Sequence, residues 1–545
     1  MKIVIVGGVA AGASAATKAR RVNEEAEIVV LEKGPYVSFA NCGLPYYVGG
    51  DIPRKENLLL VTPRLFKQRF NIDIRINHEA VAVDPARKMV TVQTEGGEIQ
   101  ESYDKLILAT GSKPALPEIT GLELPGVHSI LTVPDVERIT ENLSAGVSSV
   151  IVLGGGFIGV ESAEAFLNKG VKTTLVHRSP ALMKTYDPEF SLPLEAELFR
   201  LGLNLVLGKK PRRIVGKEKV EGLELEDGTV IPADMIISAV GVKPRTELAV
   251  SAGLEIGKTG GIVVDEMMRT SVPDIYAAGD IVESVHLVSG KRCVIPLAGP
   301  ANKQGRIAGA NAVGGTMKFK GVLGTSIIKA GEITLARTGL REAEARELGL
   351  AYHASFTSSF SHATYYPGAR QMIIKIIFEK ETGRILGAQG VGYAGVDKRI
   401  DILATAIYAG LTVYDLEHLD LAYAPPYSSA KDPSIMAGMV GANILRGEFK
   451  HVTPQDLPEL QKKEDILLLD VRSKGEYEQG AIAGALSISV DQLRQRYQEL
   501  DTKKKIVVYC KVGYRAYIAA RFLMQKGFDV YNLSGGYDVF TMKVN

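Results

Sequence analysis

The sequence of 545 residues is poor in cysteine, and its three cysteines lie far apart at Cys42, Cys293 and Cys510. No CxxC pair is present, so neither a zinc site nor a thioredoxin-like dithiol is expected. A disulfide framework is excluded as well, which fits the reducing conditions of the cytoplasm. Any redox chemistry must therefore use single thiols, and we predict no metal site.

The sequence also lacks an apolar run of about 18 residues, so it predicts no transmembrane helix. The N-terminal stretch has the composition of a signal peptide, but glycines at positions 7, 8 and 12 interrupt it. Lysine and arginine total 64 against 62 acidic residues, a net charge of +2. This small excess gives no reason to expect a nucleic acid or an anionic membrane as partner. We predict a cytoplasmic protein.

One pattern occurs twice in a chain long enough for three to four domains of about 150 residues. A β-branched strand enters a glycine turn that opens a helix, first at Lys2–Val6 with GGVAAG and again at Val150–Leu153 with GGGFIG. This is the βαβ dinucleotide unit, in which glycines permit a tight turn and the helix N-terminus holds a pyrophosphate. Val9 departs from the pattern, because it stands where the middle glycine belongs. The predicted dinucleotide contacts are Gly7, Gly8, Ala10, Ala11, Gly12 and Glu32 in the first unit, and Gly154, Gly156, Phe157, Ile158, Gly159 and Arg178 in the second.

The residue after the second strand of each unit indicates which nucleotide binds there. Glu32 can accept hydrogen bonds from ribose hydroxyls, as an adenosine diphosphate moiety without a 2′-phosphate requires. In the second unit the same place falls near His177 and Arg178, and a cation there favours a 2′-phosphate. Arg178 is equally compatible with a solvated surface charge, so NADH and NADPH both stay open.

Two further segments indicate that the first nucleotide is FAD. One is LILATG at 106–111, a buried strand with a small-residue turn, and the other is TSVPDIYAAGD at 270–280. The second segment resembles the flavin motif of the flavoprotein disulfide reductases with two dinucleotide domains. The resemblance implies that Asp280 bonds the ribityl chain, with Thr110, Gly111 and Gly279 beside it. It also implies an FAD domain split by an inserted NAD(P)H domain, followed by a dimerisation domain.

The segment SFANCGLPY at 38–46 places Cys42 just after the first unit. It resembles the coenzyme A disulfide reductases and NADH-dependent persulfide reductases, and the related NADH oxidases and peroxidases. Better-known members of the wider family carry CxxxxC here, whereas this chain has one thiol. A single thiol holds its oxidised state as a mixed disulfide or as a sulfenic acid.

The resemblance extends to two tyrosine segments, SHATYYPG at 361–368 and YAPPYSSAKDP at 423–433. It implies that Tyr365 and Tyr423, with Tyr427 as an alternate, come from the partner subunit and sit over the substrate sulfur and flavin. Tyrosines that merely pack the dimer core are the other interpretation. The same resemblance implies a coenzyme A site, whose basic groups suit a pyrophosphate and a 3′-phosphate. Its predicted residues are Ser14, Lys18, Arg21, Ser38, Asn41 and Lys431.

Near the C-terminus, the buried strand Ile506–Tyr509 leads into CKVGYR at 510–515 and then a helix. Backbone N–H groups at the helix N-terminus, and the charge of Arg515, would stabilise a thiolate or persulfide at Cys510. With LLLDVR at 467–472 and GAIAGA at 480–485, the segment resembles a single rhodanese domain, and Cys-x4-Arg suits a sulfur carrier. An inactive rhodanese-like scaffold usually lacks the cysteine. Cys293 matches no motif, and we expect it to be buried and structural.

We therefore predict an α/β protein with two Rossmann-like dinucleotide-binding domains, an α+β dimerisation domain and a C-terminal α/β rhodanese domain. The predicted ranges are 1–113 and 246–321 for FAD binding, 114–245 for NAD(P)H binding, 322–446 for dimerisation, 447–458 for a linker and 459–545 for rhodanese.

The family resemblance predicts a homodimeric enzyme that uses FAD, NADH or NADPH and coenzyme A. Its substrate would be a disulfide, persulfide or polysulfide linked to coenzyme A, reduced through a Cys42 mixed disulfide. Cys510 would deliver sulfane sulfur. Two alternatives stay open: an NADH oxidase or peroxidase that uses a Cys42 sulfenic acid, and a sulfur carrier whose flavin half senses redox state.

Overall fold

A computed structural model describes residues 1–542, and contacts between residues divide the chain into two units. Unit 1 comprises Met1–Leu182 and Leu201–Val322, and unit 2 comprises Met183–Arg200 and the chain from Leu323 onward. The segment Met183–Arg200 thus belongs to unit 2, although it lies within the range 114–245 that the sequence assigns to NAD(P)H binding. Within residues 1–542, every helix falls short of the length and apolar character that crossing a bilayer requires.

Unit 1 contains two parallel five-stranded sheets, one for each glycine turn. The central strands Lys2–Val6 and Ser149–Leu153 are apolar and almost wholly buried, as parallel strands covered by helices must be. In spatial order the first sheet is Ile275–Ala277, Lys105–Leu108, Lys2–Val6, Glu27–Leu31 and Asp73–Arg75. The second is Asn204–Leu207, Lys172–His177, Ser149–Leu153, Met235–Ser238 and Val127–His128.

Small antiparallel sheets and further helices complete unit 1. The three-stranded sheets are Glu79–Asp84 with Met89–Thr94 and Gly97–Ser102, and Pro211–Val215 with Gly222–Leu225 and Val230–Pro232. The two-stranded pairs are Ser112–Pro114 with Val242–Pro244, and Ser284–Val285 with Arg292–Cys293. The α-helices are Ala10–Val22, Leu44–Gly49, Pro63–Phe70, Val133–Ser144, Phe157–Asn168, Glu247–Ser251 and Ala298–Ala312, with 3-10 turns at Asn41–Gly43 and Lys55–Leu58.

Unit 2 contains one antiparallel and one parallel five-stranded sheet. The antiparallel sheet runs Ser326–Ala330, Ile333–Gly339, Ile385–Gly392, Gln371–Glu379 and Tyr352–Phe360. Its helices are Pro188–Arg200, Glu342–Glu347, Val396–Ala409, Val413–Glu417 and Pro433–Leu445. The parallel sheet runs Lys450–Val452, Val530–Leu533, Lys505–Tyr509, Ile466–Asp470 and Leu486–Ser487. Its helices are Leu457–Lys463, Lys474–Glu478, Val490–Arg496, Tyr514–Gln525 and Gly536–Thr541, with a 3-10 turn at Tyr497–Glu499.

One hairpin of the antiparallel sheet carries a predicted site residue. The strands Tyr352–Phe360 and Gln371–Glu379 pair antiparallel from Tyr352 opposite Glu379 to Phe360 opposite Gln371. The loop 361–370 that joins them contains Tyr365, which is 74% exposed. We call residues 352–379 the tyrosine hairpin.

A buried lysine joins helix Pro188–Arg200 and its N-terminal flank to the antiparallel sheet. Lys375 is 1% exposed, and its Nζ lies 2.8 Å from Asp187, 2.7 Å from Glu189 and 2.7 Å from Glu342. The three carboxylates lie close enough together to share a cation, and the ammonium group fills that place. Burial acts to lower the pKa of Lys375, but the three acids outweigh it and hold the pKa above its usual value.

Replacing Lys375 with methionine should destabilise unit 2, because three buried carboxylates would lose their counter-charge. Removal of one partner from a buried ion pair costs ~3–5 kcal/mol of unfolding free energy. Urea denaturation followed by circular dichroism measures this loss. Lys329→Met is the matched control, because Lys329 is an exposed lysine of the same sheet. Equal stability of the two variants would contradict the role assigned to Lys375.

Candidate active site

The first glycine turn is shaped by a neighbouring carbonyl group. Gly7 has φ +102°, and a Cβ there would collide with the carbonyl oxygen of Ala109. A Cβ at Gly12 would collide with the carbonyl oxygen of Gly7, so the helix that begins at Ala10 packs directly on the turn. The position of the missing middle glycine, Val9, has negative φ. Valine is therefore tolerated there without backbone strain.

Glu32 closes this turn from the end of the second strand. Its carboxylate accepts hydrogen bonds from the backbone N–H groups of Gly8 and Gly34, each at 2.8 Å. Burial raises the pKa of Glu32 above its usual range, and these two hydrogen bonds oppose the shift. The carboxylate stands where the sequence predicts a contact with the ribose.

The other predicted flavin residues follow two neighbouring strands of the same sheet. Leu108 lies opposite Ala277, so the turns with Thr110 and Gly111 and with Gly279 and Asp280 leave the sheet side by side. Asp280 is half-buried and accepts a hydrogen bond from the Ser112 hydroxyl at 3.1 Å, and burial raises the pKa of its carboxyl group. Ligands of open parallel sheets bind at this carboxyl edge.

The residues at this edge fit FAD. The glycine turn excludes side chains, and the helix of 13 residues that begins beside it suits a pyrophosphate. The carboxylate of Glu32 suits a ribose, and that of Asp280 suits a ribityl chain. The residues that would hold FAD are the predicted ones: Gly7, Gly8, Ala10, Ala11, Gly12, Glu32, Thr110, Gly111, Gly279 and Asp280. When bound, FAD supplies two-electron transfer between a nicotinamide and a sulfur centre.

The second glycine turn has the same two close contacts with carbonyl oxygens as the first. Gly154 has φ +115°, a Cβ there would collide with the carbonyl oxygen of Ala239, and a Cβ at Gly159 would collide with the carbonyl oxygen of Gly154. The place of Glu32 is taken by His177, whose Nδ1 accepts from the Gly155 N–H at 3.2 Å. The remaining predicted contacts Gly156, Phe157 and Ile158 lie at the start of helix Phe157–Asn168.

Arg178, the predicted coenzyme contact, is exposed and makes no ion pair with any residue of 1–542. The residue that closes the turn is His177, which precedes Arg178 in the sequence. Because an imidazole replaces the carboxylate of the first unit, no negative charge stands at this position to repel a 2′-phosphate. The side chain of Arg178 remains available to a phosphate.

Cys42 lies in the 3-10 turn Asn41–Gly43 and is exposed. Partial desolvation of its thiol raises the pKa, and the negative charges of Glu161 and Asp280 raise it further. The predicted redox thiol therefore lies within electrostatic range of the predicted flavin residue Asp280. The structure also adds Glu161, which sequence reasoning missed.

Glu161 reaches this region from helix Phe157–Asn168 of the second nucleotide unit. Burial raises the pKa of Glu161 to about 7, and the Tyr46 hydroxyl donates to its Oε1 at 3.3 Å. The one sequence signal was an acidic residue just after Gly159, on a helix that the glycine turn opens. Its pairing with Tyr46, 115 residues earlier, has no local signature.

The predicted coenzyme A residues of unit 1 lie on two elements. Ser14, Lys18 and Arg21 follow one another at helical spacing along Ala10–Val22 and share one face. Ser14 donates to Asn302 at 2.6 Å, and Arg21 donates to the Thr17 carbonyl at 2.9 Å. The other two flank Cys42: Ser38 has φ +47°, and Asn41 donates to the Leu131 carbonyl at 3.2 Å.

The predicted tyrosines meet in unit 2. The hydroxyls of Tyr365 and Tyr423 share a hydrogen bond of 2.9 Å, which raises the pKa of Tyr365. Both line a surface depression of about 310 Å³ together with Lys431, the remaining predicted coenzyme A residue. Tyr427 is 73% exposed and lies outside the set of lining residues.

A buried arginine fixes the two segments that carry these tyrosines. Arg399 is 1% exposed, and its guanidinium donates to the Ser361 carbonyl at 2.9 Å, to Ser428 at 3.1 Å and to Asp432 at 2.9 Å. Ser361 opens the loop of Tyr365, and Ser428 and Asp432 flank Lys431. The tyrosine pair therefore has a rigid base beneath its exposed rings.

Cys510 is fully buried at the end of strand Lys505–Tyr509. Its Sγ accepts a hydrogen bond from the Gly513 N–H at 3.2 Å, and Gly513 has φ +96° where the following helix begins. Arg515 faces this sulfur and makes a two-point ion pair with Glu476 at 2.6 and 2.7 Å. Arg515 holds the pKa of Glu476 down to about 2. We call residues 510–515 the sulfur loop.

Cys293 differs from expectation. It is half-buried rather than buried, and its thiol donates to the Ser284 carbonyl at 3.5 Å within the strand pair Ser284–Val285 with Arg292–Cys293. Its contact with a carbonyl oxygen is structural.

Three family models match successive parts of the chain. Residues 1–305 match the model described as pyridine nucleotide-disulphide oxidoreductase, 326–434 match the dimerisation domain of that family, and 453–543 match a rhodanese-like domain. The chain belongs to the pyridine nucleotide-disulphide oxidoreductase family. It is therefore an oxidoreductase of a group that depends on FAD and NAD(P)H, and the predicted architecture with a dimerisation domain and a rhodanese domain is confirmed.

Relatives of this family cover nearly the whole chain. The NAD(P)H sulfur oxidoreductase (CoA-dependent) of Pyrococcus furiosus is 42% identical over 441 residues, 81% of this chain and 98% of its own. The structure of reduced Bacillus anthracis CoADR-RHD has a TM-score of 0.97 at 41% identity, covering 100% of this chain and 99% of that one. An NAD-dependent persulfide reductase from A. fulgidus has a TM-score of 0.93 at 41% identity, covering 99% and 100%.

The ionisation of Glu161 should change how the reactivity of the Cys42 thiol depends on pH. As pH rises through about 7, Glu161 ionises, and its negative charge raises the pKa of the thiol. Glu161→Gln removes this charge, so alkylation of Cys42 by iodoacetamide at pH 8 should become several-fold faster. Peptide mass spectrometry measures the alkylation rate across pH.

Tyr46→Phe is the matched variant, because it keeps the charge of Glu161 and removes the hydroxyl that lowers its pKa. The transition near pH 7 should move upward in this variant and vanish in Glu161→Gln. Identical pH profiles in the wild type and in Glu161→Gln would contradict the coupling.

Arg515→Lys should slow sulfur transfer from thiosulfate to cyanide about tenfold or more, since hydrogen bonds to charged groups contribute ~1.5–3 kcal/mol. A lysine cannot hold Glu476 at two points and face Cys510 at the same time. NADH-dependent reduction of coenzyme A disulfide by the same preparation is the internal control. An unchanged rate of sulfur transfer would show that the planar guanidinium is not needed.

Proposed function

We propose that the protein is an NAD(P)H-dependent reductase of persulfides, polysulfides and disulfides linked to coenzyme A, acting as a homodimer. The observation that carries the proposal is the presence of two single thiols in different surroundings. Cys42 is exposed beside the flavin residue Asp280, and Cys510 is buried in a loop built for anionic sulfur. The names of the relatives from Pyrococcus furiosus and A. fulgidus support this choice.

The reaction begins at Cys42. Its thiolate attacks the sulfur that is bonded to coenzyme A, the sulfur–sulfur bond of the substrate breaks, and a Cys42–S–S–CoA mixed disulfide forms. A persulfide substrate then releases hydrosulfide, which carries its own proton, and a disulfide substrate releases coenzyme A thiolate. FAD, held by the residues at the first glycine turn, would supply the two electrons from NAD(P)H that return Cys42 and coenzyme A to thiolates, and the proton of the hydride would be released to solvent.

The chain's own residues manage the charges of this reaction. Cys42 must lose its proton although Glu161 and Asp280 oppose the thiolate, so the resting thiol is protected until substrate binds. Tyr365 and Tyr423 of the partner subunit would donate a hydrogen bond or a proton to the leaving sulfur. The raised pKa of Tyr365 keeps its hydroxyl protonated at neutral pH, as a donor must be.

The proposal includes a dimer because the two tyrosines are exposed in the single chain. Tyr365 and Tyr423 are 74% and 48% exposed, and Tyr365 lies in the range that matches the dimerisation domain of the family. A second copy of the chain would cover them and supply the opposite half of the site. Lys431, in the same depression, would bind a phosphate of coenzyme A.

The rhodanese domain would supply sulfane sulfur. The Cys510 thiolate attacks the outer sulfur of a donor such as thiosulfate, sulfite leaves, and the persulfide of Cys510 forms. Transfer of this sulfur to coenzyme A thiolate yields coenzyme A persulfide and restores Cys510. Arg515 and the Gly513 N–H balance the negative charge on the sulfur throughout.

The coenzyme site accepts either nicotinamide dinucleotide. His177 leaves the ribose position without a carboxylate, and the exposed Arg178 is available to a 2′-phosphate. We therefore propose that both NADH and NADPH serve as reductants.

The deciding experiment is anaerobic oxidation of NADH and of NADPH with coenzyme A persulfide and coenzyme A disulfide in parallel, with released sulfide measured. Cys42→Ser should abolish turnover of both substrates. Cys510→Ser should leave turnover of coenzyme A persulfide unchanged and remove sulfide release from thiosulfate or polysulfide with free coenzyme A. Cys293→Ser is the matched control and should change neither.

Each alternative has its own outcome. Sulfide release from every donor that is unaffected by Cys510→Ser would exclude sulfur delivery by the rhodanese domain. Fast consumption of oxygen or peroxide without coenzyme A would instead identify an oxidase or peroxidase. Negligible multiple turnover with every acceptor would identify a sulfur carrier.

A further inference from the structure

The edge of the antiparallel sheet in unit 2 is covered by the C-terminal domain. Tyr352–Phe360 is the outermost strand, so its outer N–H and C=O groups need partners. The Phe356 N–H donates to the Ser534 hydroxyl at 2.8 Å, and the Ala354 carbonyl accepts from His451 Nε2 at 3.2 Å. Burial lowers the pKa of His451 to about 4, so the ring stays neutral in this contact.

The segment that covers this edge also supports the sulfur loop. The Tyr537 N–H donates to the Cys510 carbonyl at 2.8 Å, and the Asp538 N–H donates to the Lys511 carbonyl at 2.9 Å. Gly536, at φ +64°, lies so close that a Cβ would collide with the carbonyl oxygen of Cys510. We call residues 534–538 the terminal turn.

One buried hydrogen bond joins the terminal turn to the tyrosine hairpin. The Gln371 side chain donates to Asp538 Oδ2 at 2.8 Å and to the Ser358 hydroxyl at 2.6 Å. Gln371 is 3% exposed and Asp538 is 4% exposed, so water does not replace either partner. Burial raises the pKa of Asp538, while the hydrogen bond from Gln371 and the charges of Lys511 and Arg472 act to lower it.

These contacts form a continuous path between two predicted sites. Gln371 ends the loop that carries Tyr365 and contacts Asp538, and Asp538 holds the backbone next to Cys510. The backbone of the sulfur loop has no other support from the antiparallel sheet among the contacts of residues 1–542. The terminal turn therefore links the sulfur loop to the hairpin, in addition to the anchors that Glu476 and Asn532 give the loop through Arg515 and the Gly513 carbonyl.

We propose that Gln371 and Asp538 are positioning residues for Cys510, and that their hydrogen bond fixes the sulfur loop in the conformation that accepts sulfane sulfur. This inference rests on the proposed role of Cys510 as a sulfur carrier. It makes sulfur transfer by the rhodanese domain dependent on the dimerisation sheet. The rhodanese domain then functions as part of unit 2 and not as a tethered module.

The test measures sulfur transfer from thiosulfate to cyanide by the full-length holoenzyme. Cys510 thiolate takes the outer sulfur of thiosulfate and releases sulfite, and cyanide then takes that sulfur as thiocyanate. Gln371→Met removes the donor and keeps the volume, and Asp538→Leu removes the acceptor. Each should lower the turnover number about tenfold, because small displacements of a reacting group cost up to about a hundredfold.

Three comparisons separate positioning from general stability. The double variant Gln371→Met/Asp538→Leu should be no slower than either single variant, because both remove the same interaction. Asp538→Asn should restore the rate, since its amide oxygen accepts the same hydrogen bond. NADH-dependent reduction of coenzyme A disulfide should stay within twofold of wild type. Gln525→Met, at an exposed glutamine of the same domain, is the control.

The opposite results would overturn the proposal. The first is a double variant whose loss of rate is the product of the two single losses. The second is an Asp538→Asn variant as slow as Asp538→Leu. The third is a parallel fall of sulfur transfer, of coenzyme A disulfide reduction and of the melting temperature. If the wild type itself transfers no sulfur, the proposed carrier role fails instead. The rate of Cys510 alkylation by iodoacetamide then still reports whether Gln371→Met and Asp538→Leu displace the loop, and an unchanged rate would exclude positioning.

Discussion

The close contact between a glycine turn and the carbonyl group of a neighbouring strand is the constraint on which unit 1 depends. At Gly7 the carbonyl of Ala109 leaves no room for a side chain, and at Gly154 the carbonyl of Ala239 does the same. Both glycines have positive φ, and the next helix begins three residues later, at Ala10 and at Phe157. Glu32 and His177 then close their turns from the adjacent strand. Both nucleotide turns therefore depend on the same close contact between a glycine and a carbonyl group.

The two working thiols have opposite electrostatic surroundings, and this suits their proposed duties. Burial and the charges of Glu161 and Asp280 raise the pKa of the Cys42 thiol, which disfavours the free thiolate. Cys510 is enclosed by a backbone amide and a guanidinium, which stabilise an anionic sulfur over the life of a carrier. Glu476 holds the guanidinium in place, so the positive charge stays with the loop when the sulfur departs.

The fold could be predicted from the sequence because its signals are local. Strand, glycine turn and helix follow one another within about twenty residues, and the flavin, cysteine and rhodanese motifs are each contiguous. The long-range pairs could not be predicted. Tyr46 meets Glu161, and Gln371 meets Asp538, across 115 and 167 residues, and no short motif announces either pair.

Some local details also depended on the three-dimensional structure. His177 and Arg178 are equally placed in the sequence, but only the direction of the strand decides that His177 turns toward the glycine loop. The apolar neighbours of Cys293 in the sequence predict burial, yet its side chain in the two-residue strand Arg292–Cys293 is only half-buried. Tyr427 is the alternate match to the tyrosine motif, and the structure pairs Tyr423, not Tyr427, with Tyr365.

The segment Met183–Arg200 has a consequence for how the protein can be divided. The chain passes from unit 1 to unit 2 after Leu182, returns after Arg200 and leaves again after Val322. Neither unit is one continuous stretch of sequence, so a single proteolytic cut cannot release either of them intact. A fragment that begins at Leu323 would also lack Asp187 and Glu189, and would leave Lys375 with one of its three carboxylates. To express unit 2 alone, the segment Met183–Arg200 would have to be joined to the chain from Leu323 onward, through a linker or by circular permutation.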